Sequence, residues 1–442
     1  MGAVAAGSTS STAAENTDGE AEGSLAGEPE TAAADGEAWP SVPEIEGEAV
    51  VVMEAITQVM LYEKNADEKM YPASTTKILT AMIVLERCSL DEIVTFSENA
   101  CNQEDGAVTI DSQPGEEMTV KDCMYALLLP SANDAAYALA EHVAGSVEAF
   151  AELMNEKAKE IGTTSSNFVN PSGLFHRDHY TTANDLAKIA QYAFQNSTFV
   201  DIISHPTYTI GPTNKTKESR ELTNTHEMIV PGSSDYNEYV IGGKTGYLYE
   251  SGRVLVTYAK KNGITLLTVI MDGAYSGIFS ETQELLDFGW SNFTIKNVSE
   301  SESRFSYAGK NARVQIDPTS QILSLNGVEF KDLDSKITFA YDLDENEYAE
   351  AKKAAGIEEG DSRRLYATID YSYAGHDLGS CNVFINTEME ITDSPVVNIY
   401  YISPWFVVLG VAVIIAVVVI ILRIRKKKKS ELRYRYRYRK RR

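Results

Sequence analysis

Cysteine and histidine are scarce in this chain, with four and six copies in 442 residues. No Cys-x-x-Cys pair occurs, and the cysteines stand at no metal-ligand spacing. They are Cys88, Cys101, Cys123 and Cys381. We therefore predict half-buried thiols, no bound metal and no cofactor. A disulfide between Cys101 and Cys123 is left open, because spacing alone does not establish a pairing.

Basic side chains are scarce everywhere except in the last twenty residues. Residues 423–442 contain 13 Lys and Arg and one acidic residue, whereas the preceding residues contain 26 basic and 63 acidic ones. A body this acidic repels polyanions, so we predict that the chain binds no nucleic acid.

Large apolar side chains are nearly absent from residues 1–46, which are rich in Ala, Glu, Gly, Ser and Thr. Such a segment buries too little surface to offset the entropy of ordering it. We predict a disordered acidic spacer over 1–46, with order beginning near Glu48. The start of the sequence also has no basic and apolar regions of the kind that form a signal peptide.

Residues 405–422 form the opposite extreme, an unbroken apolar run of 18 residues. This length suits a transmembrane helix, and the run has no polar stripe of the kind that a core helix carries. The basic segment 423–442 that follows marks the cytoplasmic side. We expect a single-pass protein of the cell membrane, with an extracellular body and a cytoplasmic tail.

Between these ends the patterns predict a mixed α/β (α+β) architecture. Strand patterns lie at both ends of residues 47–295 and helical patterns lie between them, which indicates one sheet built from distant parts of the chain. One helix is expected over residues 120–143. Residues 296–304 read as a polar linker, and the short alternating strands over 305–391 predict a small β-rich domain.

A serine and a lysine open the first predicted helix. Ser74 and Lys77 are three positions apart and share one helix face, so the lysine amine can reach the serine hydroxyl. Burial or a neighbouring cation lowers the proton affinity of a lysine, which lets its neutral amine act as a base. The helix N-terminus favours negative charge that develops near Ser74.

Two further motifs follow in order. Ser131 and Asn133 come directly after an apolar helix that ends at a proline, so we place them on a loop above buried structure. Lys244 and Thr245 lie on a strand flanked by glycines, the last of which is Gly246. A strand contains glycine where another backbone or a ligand approaches closely, so we expect this edge to receive an extended peptide.

Taken together, these motifs resemble those of the penicillin-binding serine D-Ala-D-Ala carboxypeptidases. The stretches that carry the resemblance are YPASTTK at 71–77, LLPSANDAA at 128–136, NPSGL at 170–174, HYTTANDL at 179–186 and GKTGY at 243–247. The resemblance covers residues from about 48 to 290. It implies a β-lactamase/transpeptidase-like domain with an antiparallel sheet and a helical subdomain.

The resemblance also implies roles for single residues. Ser74 would attack the carbonyl between two terminal D-alanines of a peptidoglycan stem peptide. Lys77 would take its proton, and Ser131 with Lys244 would return one to the leaving group. The remaining members would bind the substrate, and they are Asn133, Thr245, Gly246 and Tyr247. β-Lactam antibiotics are expected to acylate Ser74 and to leave slowly.

Two departures from the family pattern and two alternatives accompany this interpretation. Residues 272–279 contain no cation where relatives often have an arginine for the substrate carboxylate, and Arg253 is the substitute we consider. Residues 55–57 replace a glycine-containing turn.

A β-lactamase of the same fold is one alternative, although no Glu-x-x-x-Asn pattern for rapid deacylation is evident. A non-catalytic cell-wall-binding or sensor protein is the other.

Overall fold

The computed structural model describes residues 39–305, 314–358 and 360–386. In these ranges the helices are α1 Lys77–Arg87, α2 Glu98–Cys101, α3 Val120–Leu128, α4 Asn133–Ala144, α5 Val147–Ile161, α6 Ala183–Phe194, α7 Ser197–Ile203, α8 Ile278–Asn292, α9 Val298–Ser301 and α10 Glu345–Ala354. The strands are β1 Ala49–Glu54, β2 Met60–Lys64, β3 Ile93–Thr95, β4 Glu117–Thr119, β5 Thr207–Ile210, β6 Arg220–Thr223, β7 Val240–Leu248, β8 Gly252–Lys261, β9 Ile264–Gly273, β10 Phe293–Asn297, β11 Val314–Ile316, β12 Gln321–Leu325, β13 Asp334–Phe339, β14 Arg363–Tyr373 and β15 His376–Asn386.

The central sheet has five strands in the order β2-β1-β9-β8-β7, and every neighbouring pair is antiparallel. Helices α1 to α7 occupy the chain between β2 and β7. The sheet therefore joins strands from distant parts of the chain, as the sequence predicts. Strand β7, which carries the third motif, lies at the edge of the sheet.

Strand β1 shows why the sheet lies at the centre of the molecule. All six of its residues are buried. Val51 and Met53 pack into the core shared with α1 and α3 to α7, while Val50 and Val52 pack into a second core that includes α8. Alternate side chains of a strand point to opposite faces, so a run of valines suits a sheet covered on both sides.

The single helix predicted over residues 120–143 is wrong, and the apolar helix that ends before Ser131 is confirmed, because the chain breaks between Leu128 and Asn133. Pro130 lacks the backbone N–H that would continue the helix. The next residue, Ser131, has a φ of 72°, and Ala132 is extended. The break ends α3 and starts α4 at Asn133, which is thus the first residue of a helix and not part of a loop.

Two predicted boundaries are also wrong. Order begins before Glu48, since the Trp39 indole N–H donates to the Leu61 carbonyl at 3.1 Å and the ring stacks on His376 at 3.9 Å. The segment predicted as a linker over 296–304 contains the end of β10 and the helix α9. Strand β10 pairs with β12, so the segment is held by backbone hydrogen bonds.

Beyond β10 the described chain is rich in strands, with a four-stranded sheet in the order β11-β15-β14-β13. Residues 1–38 of the predicted spacer and the predicted segments 405–422 and 423–442 lie outside the described residues. None of the helices within the described ranges combines the length and apolar character that a membrane span requires.

Candidate active site

Ser74 and Lys77 meet at the junction of two helix types. Ser74 lies in a 3-10 helix over Ala73–Thr76, and Lys77 is the first residue of α1. Because i and i+3 are eclipsed in a 3-10 helix, the two side chains point the same way. The Lys77 ammonium lies 3.0 Å from Ser74 Oγ, 2.8 Å from Asn133 Oδ1 and 2.7 Å from the Ser172 carbonyl oxygen.

The environment of Lys77 favours its neutral form. The side chain is fully buried, and burial lowers its pKa well below the ordinary 10.5. The positive charge of Lys244 lowers it further, while the Asp134 carboxylate opposes the shift. A buried amine of low proton affinity that contacts a hydroxyl is equipped to remove the proton of that hydroxyl.

The Ser172 carbonyl belongs to the NPSGL stretch, for which the sequence indicated a resemblance but no role. Asn170 folds this stretch into a tight turn, because its Oδ1 accepts the backbone N–H groups of Ser172 and Gly173. The Thr80 hydroxyl donates to the Pro171 carbonyl at 2.7 Å. The turn thus packs along α1 and presents one carbonyl to the lysine amine.

His179 fastens the same turn to the helix that carries the nucleophile. The backbone N–H of Val169 donates to its Nδ1 at 3.2 Å, so Nε2 carries the proton and donates to Thr76 Oγ1 at 2.8 Å. Burial lowers the pKa of His179 to about 3, with smaller contributions from His176 and Lys77. The imidazole therefore stays neutral and has a structural role.

Gly173→Ala should disrupt the site more than a glycine substitution at the same φ elsewhere. A Cβ at Gly173 would lie 1.8 Å from the Ala73 carbonyl oxygen, where φ is 82°. We expect acylation of Ser74 by fluorescent penicillin to slow by at least ~10-fold, since a displaced turn moves the Ser172 carbonyl away from Lys77.

The matched control is Gly145→Ala, which has the same strain without the clash. Gly145 ends α4 with a φ of 81°, and its added Cβ meets no atom within 4 Å. This variant should lose about 1 kcal/mol of unfolding free energy and keep its acylation rate. Equal acylation rates in the two variants would show that the turn does not position the base.

Ser131 and Asn133 reach the same space from the break between α3 and α4. Asn133 is 5% exposed, and its Oδ1 accepts from Lys77, which leaves its amide N–H groups for a ligand. Ser131 Oγ is buried and has no hydrogen-bond partner among the described residues. Buried hydroxyls are normally paired, so this atom is available to a group that enters the site.

Lys244 and Thr245 extend along the edge strand β7. The Lys244 ammonium donates to the Thr245 carbonyl at 2.8 Å. Thr245 Oγ1 lies 2.6 Å from Thr225 Oγ1, and the Thr225 hydroxyl also contacts the Leu129 carbonyl at 3.3 Å. No sequence pattern indicated Thr225, which reaches the site from the segment after β6.

The glycines of the third motif make room for the protein itself. A Cβ at Gly246 would lie 3.0 Å from Ser74 N and 3.2 Å from the Pro72 carbonyl oxygen. A Cβ at Gly243 would lie 1.9 Å from the Val256 carbonyl oxygen. The small residue at 246 therefore lets β7 lie against the nucleophile's own backbone, with Tyr247 as the next residue along the strand.

Because of Lys244, the stability of the protein should change with pH in the neutral to alkaline range. Burial lowers its pKa from 10.5 to about 7 in the folded protein. The unfolded chain then binds more protons between about pH 7 and 10.5, so the free energy of unfolding rises with pH across this window. Lys244→Met should stabilise the protein by several kcal/mol at neutral pH, and the gain should shrink toward pH ~10.

Urea unfolding of both proteins at neutral pH and near pH ~10 measures this difference. The control is Lys260→Met, which removes an exposed lysine from the neighbouring strand β8. A gain for Lys244→Met that stays constant with pH would mean that Lys244 does not titrate in the window.

Arg253, the substitute considered for the missing arginine, lies opposite Tyr247 in the β7–β8 register. Its guanidinium carbon is 4.5 Å from the centre of the Tyr275 ring, and the centre of the Tyr275 ring is 5.7 Å from that of the Tyr247 ring.

Residues 55–57, the second departure from the family pattern, form a turn after β1. The buried Glu54 carboxylate accepts the backbone N–H groups of this turn. These hydrogen bonds hold the turn, and Gln58, which follows it, adopts a φ of 61°.

The site as a whole combines a hydroxyl nucleophile, a buried amine base, an unpaired second hydroxyl and an edge strand. This combination is able to attack an acyl group and form a serine ester. Of the residues that the sequence nominated, Ser74, Lys77 and Asn133 are joined by hydrogen bonds, and Gly246 brings β7 against the backbone of Ser74. The structure adds Ser172, Thr225 and His179 as supporting groups.

Comparisons with known proteins agree with this chemistry. The family model for D-alanyl-D-alanine carboxypeptidases, peptidase S11, matches residues 37–274. The D-alanyl-D-alanine carboxypeptidase DacF of Bacillus subtilis is 34% identical over 257 residues, which are 56% of this chain and 63% of that protein. The chain thus spans less than two thirds of the length of this relative.

Solved structures give the same result for the fold. The DD-transpeptidase of Streptomyces K15 superposes with a TM-score of 0.53 at 30% identity, covering 57% of this chain and 99% of its own. Penicillin binding protein 5 of Haemophilus influenzae superposes with a TM-score of 0.62, covering 78% of this chain and 98% of its own. At 24% identity, the second likeness concerns the fold alone.

Proposed function

The chain belongs to the D-alanyl-D-alanine carboxypeptidase family, peptidase S11, and we propose that it hydrolyses the terminal D-Ala-D-Ala bond of peptidoglycan stem peptides. The observation that carries this proposal is the contact of 3.0 Å between the amine of Lys77, whose side chain is fully buried, and the Oγ of the half-buried Ser74. A non-catalytic binder would not require a lysine held at such a cost in desolvation.

Acylation begins when Ser74 Oγ attacks the carbonyl carbon of the penultimate D-alanine. Lys77 in its neutral form takes the hydroxyl proton as the O–C bond forms. The oxyanion accepts the backbone N–H groups of Ser74 and Tyr247, which the close approach at Gly246 supports. Each such donor lowers the barrier by roughly 3–4 kcal/mol.

The leaving group requires a proton on its nitrogen. Ser131 donates it as the C–N bond breaks, and the Lys77 ammonium supplies the proton to Ser131 with Lys244 stabilising the charge. The unpaired Oγ of Ser131 supports this role, because it is free to turn toward the nitrogen. Water then attacks the ester carbonyl as Lys77 takes its proton, the bond between the acyl carbon and Ser74 Oγ breaks, and Lys77 returns the proton to Ser74 Oγ as the shortened peptide leaves.

Substrate binding uses the open edge of β7. The peptide extends along the strand by backbone hydrogen bonds, as in β-strand addition. Asn133 offers its amide N–H groups to the peptide, and Thr245 with Lys244 holds the terminal carboxylate. A β-lactam has a strained amide and a carboxylate in the same relation, so it acylates Ser74 and is released slowly.

The full chain, incubated with a peptide ending in D-Ala-D-Ala, should release D-alanine. Prior labelling with penicillin should block the release, and the matched peptide ending in L-Ala-L-Ala should remain intact. Rapid turnover of penicillin would favour the β-lactamase instead. A stable penicillin adduct without D-alanine release would favour the binding or sensor protein.

The placement of the enzyme is a further part of the proposal. Residues 405–422 form the span, residues 423–442 lie in the cytoplasm, and the catalytic body faces the cell wall. The apolar length, the basic flank and a substrate that lies outside the cell support this arrangement. Protease added to intact protoplasts should remove the catalytic body, while cleavage of the basic tail alone would contradict it.

A further inference from the structure

A second cluster of reactive side chains lies at the C-terminal ends of α1 and α4, the helices that begin at Lys77 and Asn133 in the active site. Cys88 is the residue at which α1 ends, Glu92 lies in the turn that leads to β3, and His142 lies in the last turn of α4. The Cys88 thiol, a Glu92 carboxylate oxygen and a His142 ring nitrogen all lie within 4.8 Å of one another.

The cluster is partly organised already. His142 Nε2 lies 3.2 Å from Glu92 Oε2, and the other oxygen, Oε1, accepts the backbone N–H of Ser89 at 2.6 Å. The backbone thus fixes the carboxylate and leaves one oxygen directed at the imidazole. The side chains of His142 and Glu92 are 24% and 43% exposed, so an ion in solvent can reach them.

A thiolate, an imidazole and a carboxylate together match the ligands of one ion in particular. Zn²⁺ binds sulfur at about 2.3 Å and nitrogen or oxygen at about 2.0–2.2 Å, which places tetrahedral ligands roughly 3.3–3.7 Å apart. The separation of 3.2 Å between His142 Nε2 and Glu92 Oε2 is just below this range, and the Cys88 thiol lies within 4.8 Å of both atoms, so small side-chain adjustments bring all three ligands to the required spacing. Three protein ligands leave a fourth position for water.

We propose that Cys88, Glu92 and His142 bind a Zn²⁺ ion. The Cys88 thiol releases its proton to solvent as the Zn–S bond forms, and no electron is transferred. Burial and the Glu92 carboxylate raise the pKa of the free thiol, and a bound cation reverses the second effect.

The position of the ion suggests what it does. Helix α1 begins at Lys77 and α4 begins at Asn133, and these two side chains are hydrogen-bonded. Both helices end at the cluster. Helix α1 has 11 residues, so its end at the cluster lies about 16 Å along the helix axis from Lys77. The ion therefore takes no part in the acylation chemistry and links the helix ends that lie opposite the active site.

Zinc titration of the full chain after dialysis against a chelator tests the proposal. We expect one Zn²⁺ per chain by elemental analysis that is lost in Cys88→Ser and in His142→Gln. Zinc at a hundredfold excess over its dissociation constant should raise the Tm by roughly 5–10 °C. Co²⁺ in place of Zn²⁺ should show a thiolate charge-transfer absorption that Cys88→Ser abolishes.

The matched controls are Cys101→Ser, which removes the other half-buried cysteine, and His176→Gln, which removes an exposed histidine. Both should bind zinc as the native chain does. Penicillin labelling, which does not depend on the cluster, establishes that each variant is folded. Zinc binding that survives both Cys88→Ser and His142→Gln, or the absence of any cobalt–thiolate absorption, would overturn the proposal.

Discussion

Ser74→Ala should abolish both the covalent penicillin adduct and the release of D-alanine. The substitution removes the only atom that the proposed mechanism bonds to substrate, and loss of a nucleophile in a serine enzyme costs roughly 10⁴–10⁶-fold in rate. Gel fluorescence after labelling measures the adduct, and a coupled oxidase assay measures the D-alanine.

The fold should survive this change, because the Ser74 side chain is only partly buried and removal of one oxygen leaves no cavity of note. The matching control is Ser74→Cys, which keeps a nucleophile at the same place and should retain a slowly formed adduct. Labelling of Ser74→Ala at the native rate would show that another residue is the nucleophile, with Ser131 as the first to examine.

The nucleophile and its base could be predicted from sequence because the relation between them is local. A spacing of three residues places two side chains together on either kind of helix, so the contact between Ser74 and Lys77 needs no tertiary information. The helix type was not predicted. The expected α-helix from Ser74 is a 3-10 turn followed by α1, and the contact between Ser74 and Lys77 is kept.

The groups that surround this pair depend on long-range packing, so no role could be predicted for them from the sequence. The Ser172 carbonyl reaches Lys77 across 95 positions, and the Thr225 hydroxyl reaches Thr245 across 20. The strained backbone at two positions of the site could not be predicted from the sequence either. Ala73 and Ser131 have φ angles of 47° and 72°, which residues other than glycine rarely adopt, so composition gave no sign of them.

For the fold, too, local patterns could be predicted from the sequence, whereas long-range contacts could not. The apolar run of β1 and the apolar stripe of α6 follow directly from the sequence pattern. The ends of elements do not, because they depend on partners elsewhere in the chain. Trp39 is ordered by contacts with Leu61 and His376, and β10 exists because β12 pairs with it. The glycine at 246 was correctly singled out, although the group that approaches it is the backbone of Ser74.

Lys77→Arg should slow acylation by roughly 10²–10⁴-fold while preserving the positive charge. An arginine stays protonated at every accessible pH, so it cannot take the proton of Ser74. In the native protein burial holds the pKa of Lys77 well below 10.5, so the acylation rate should rise with pH as the amine loses its proton and then level off. The variant should lack this rise.

The pH profile separates a base from a residue that only holds its neighbours in place. Lys77 also donates to Asn133 and to the Ser172 carbonyl, so its loss could slow the reaction through position alone. Lys77→Met removes these contacts and the charge, and it should be as slow as Lys77→Arg if proton removal is the larger effect. A residual rate in Lys77→Arg that still rises with pH along the native curve would assign the titration to another group, and Lys244, with a pKa of about 7, would then be the base to test.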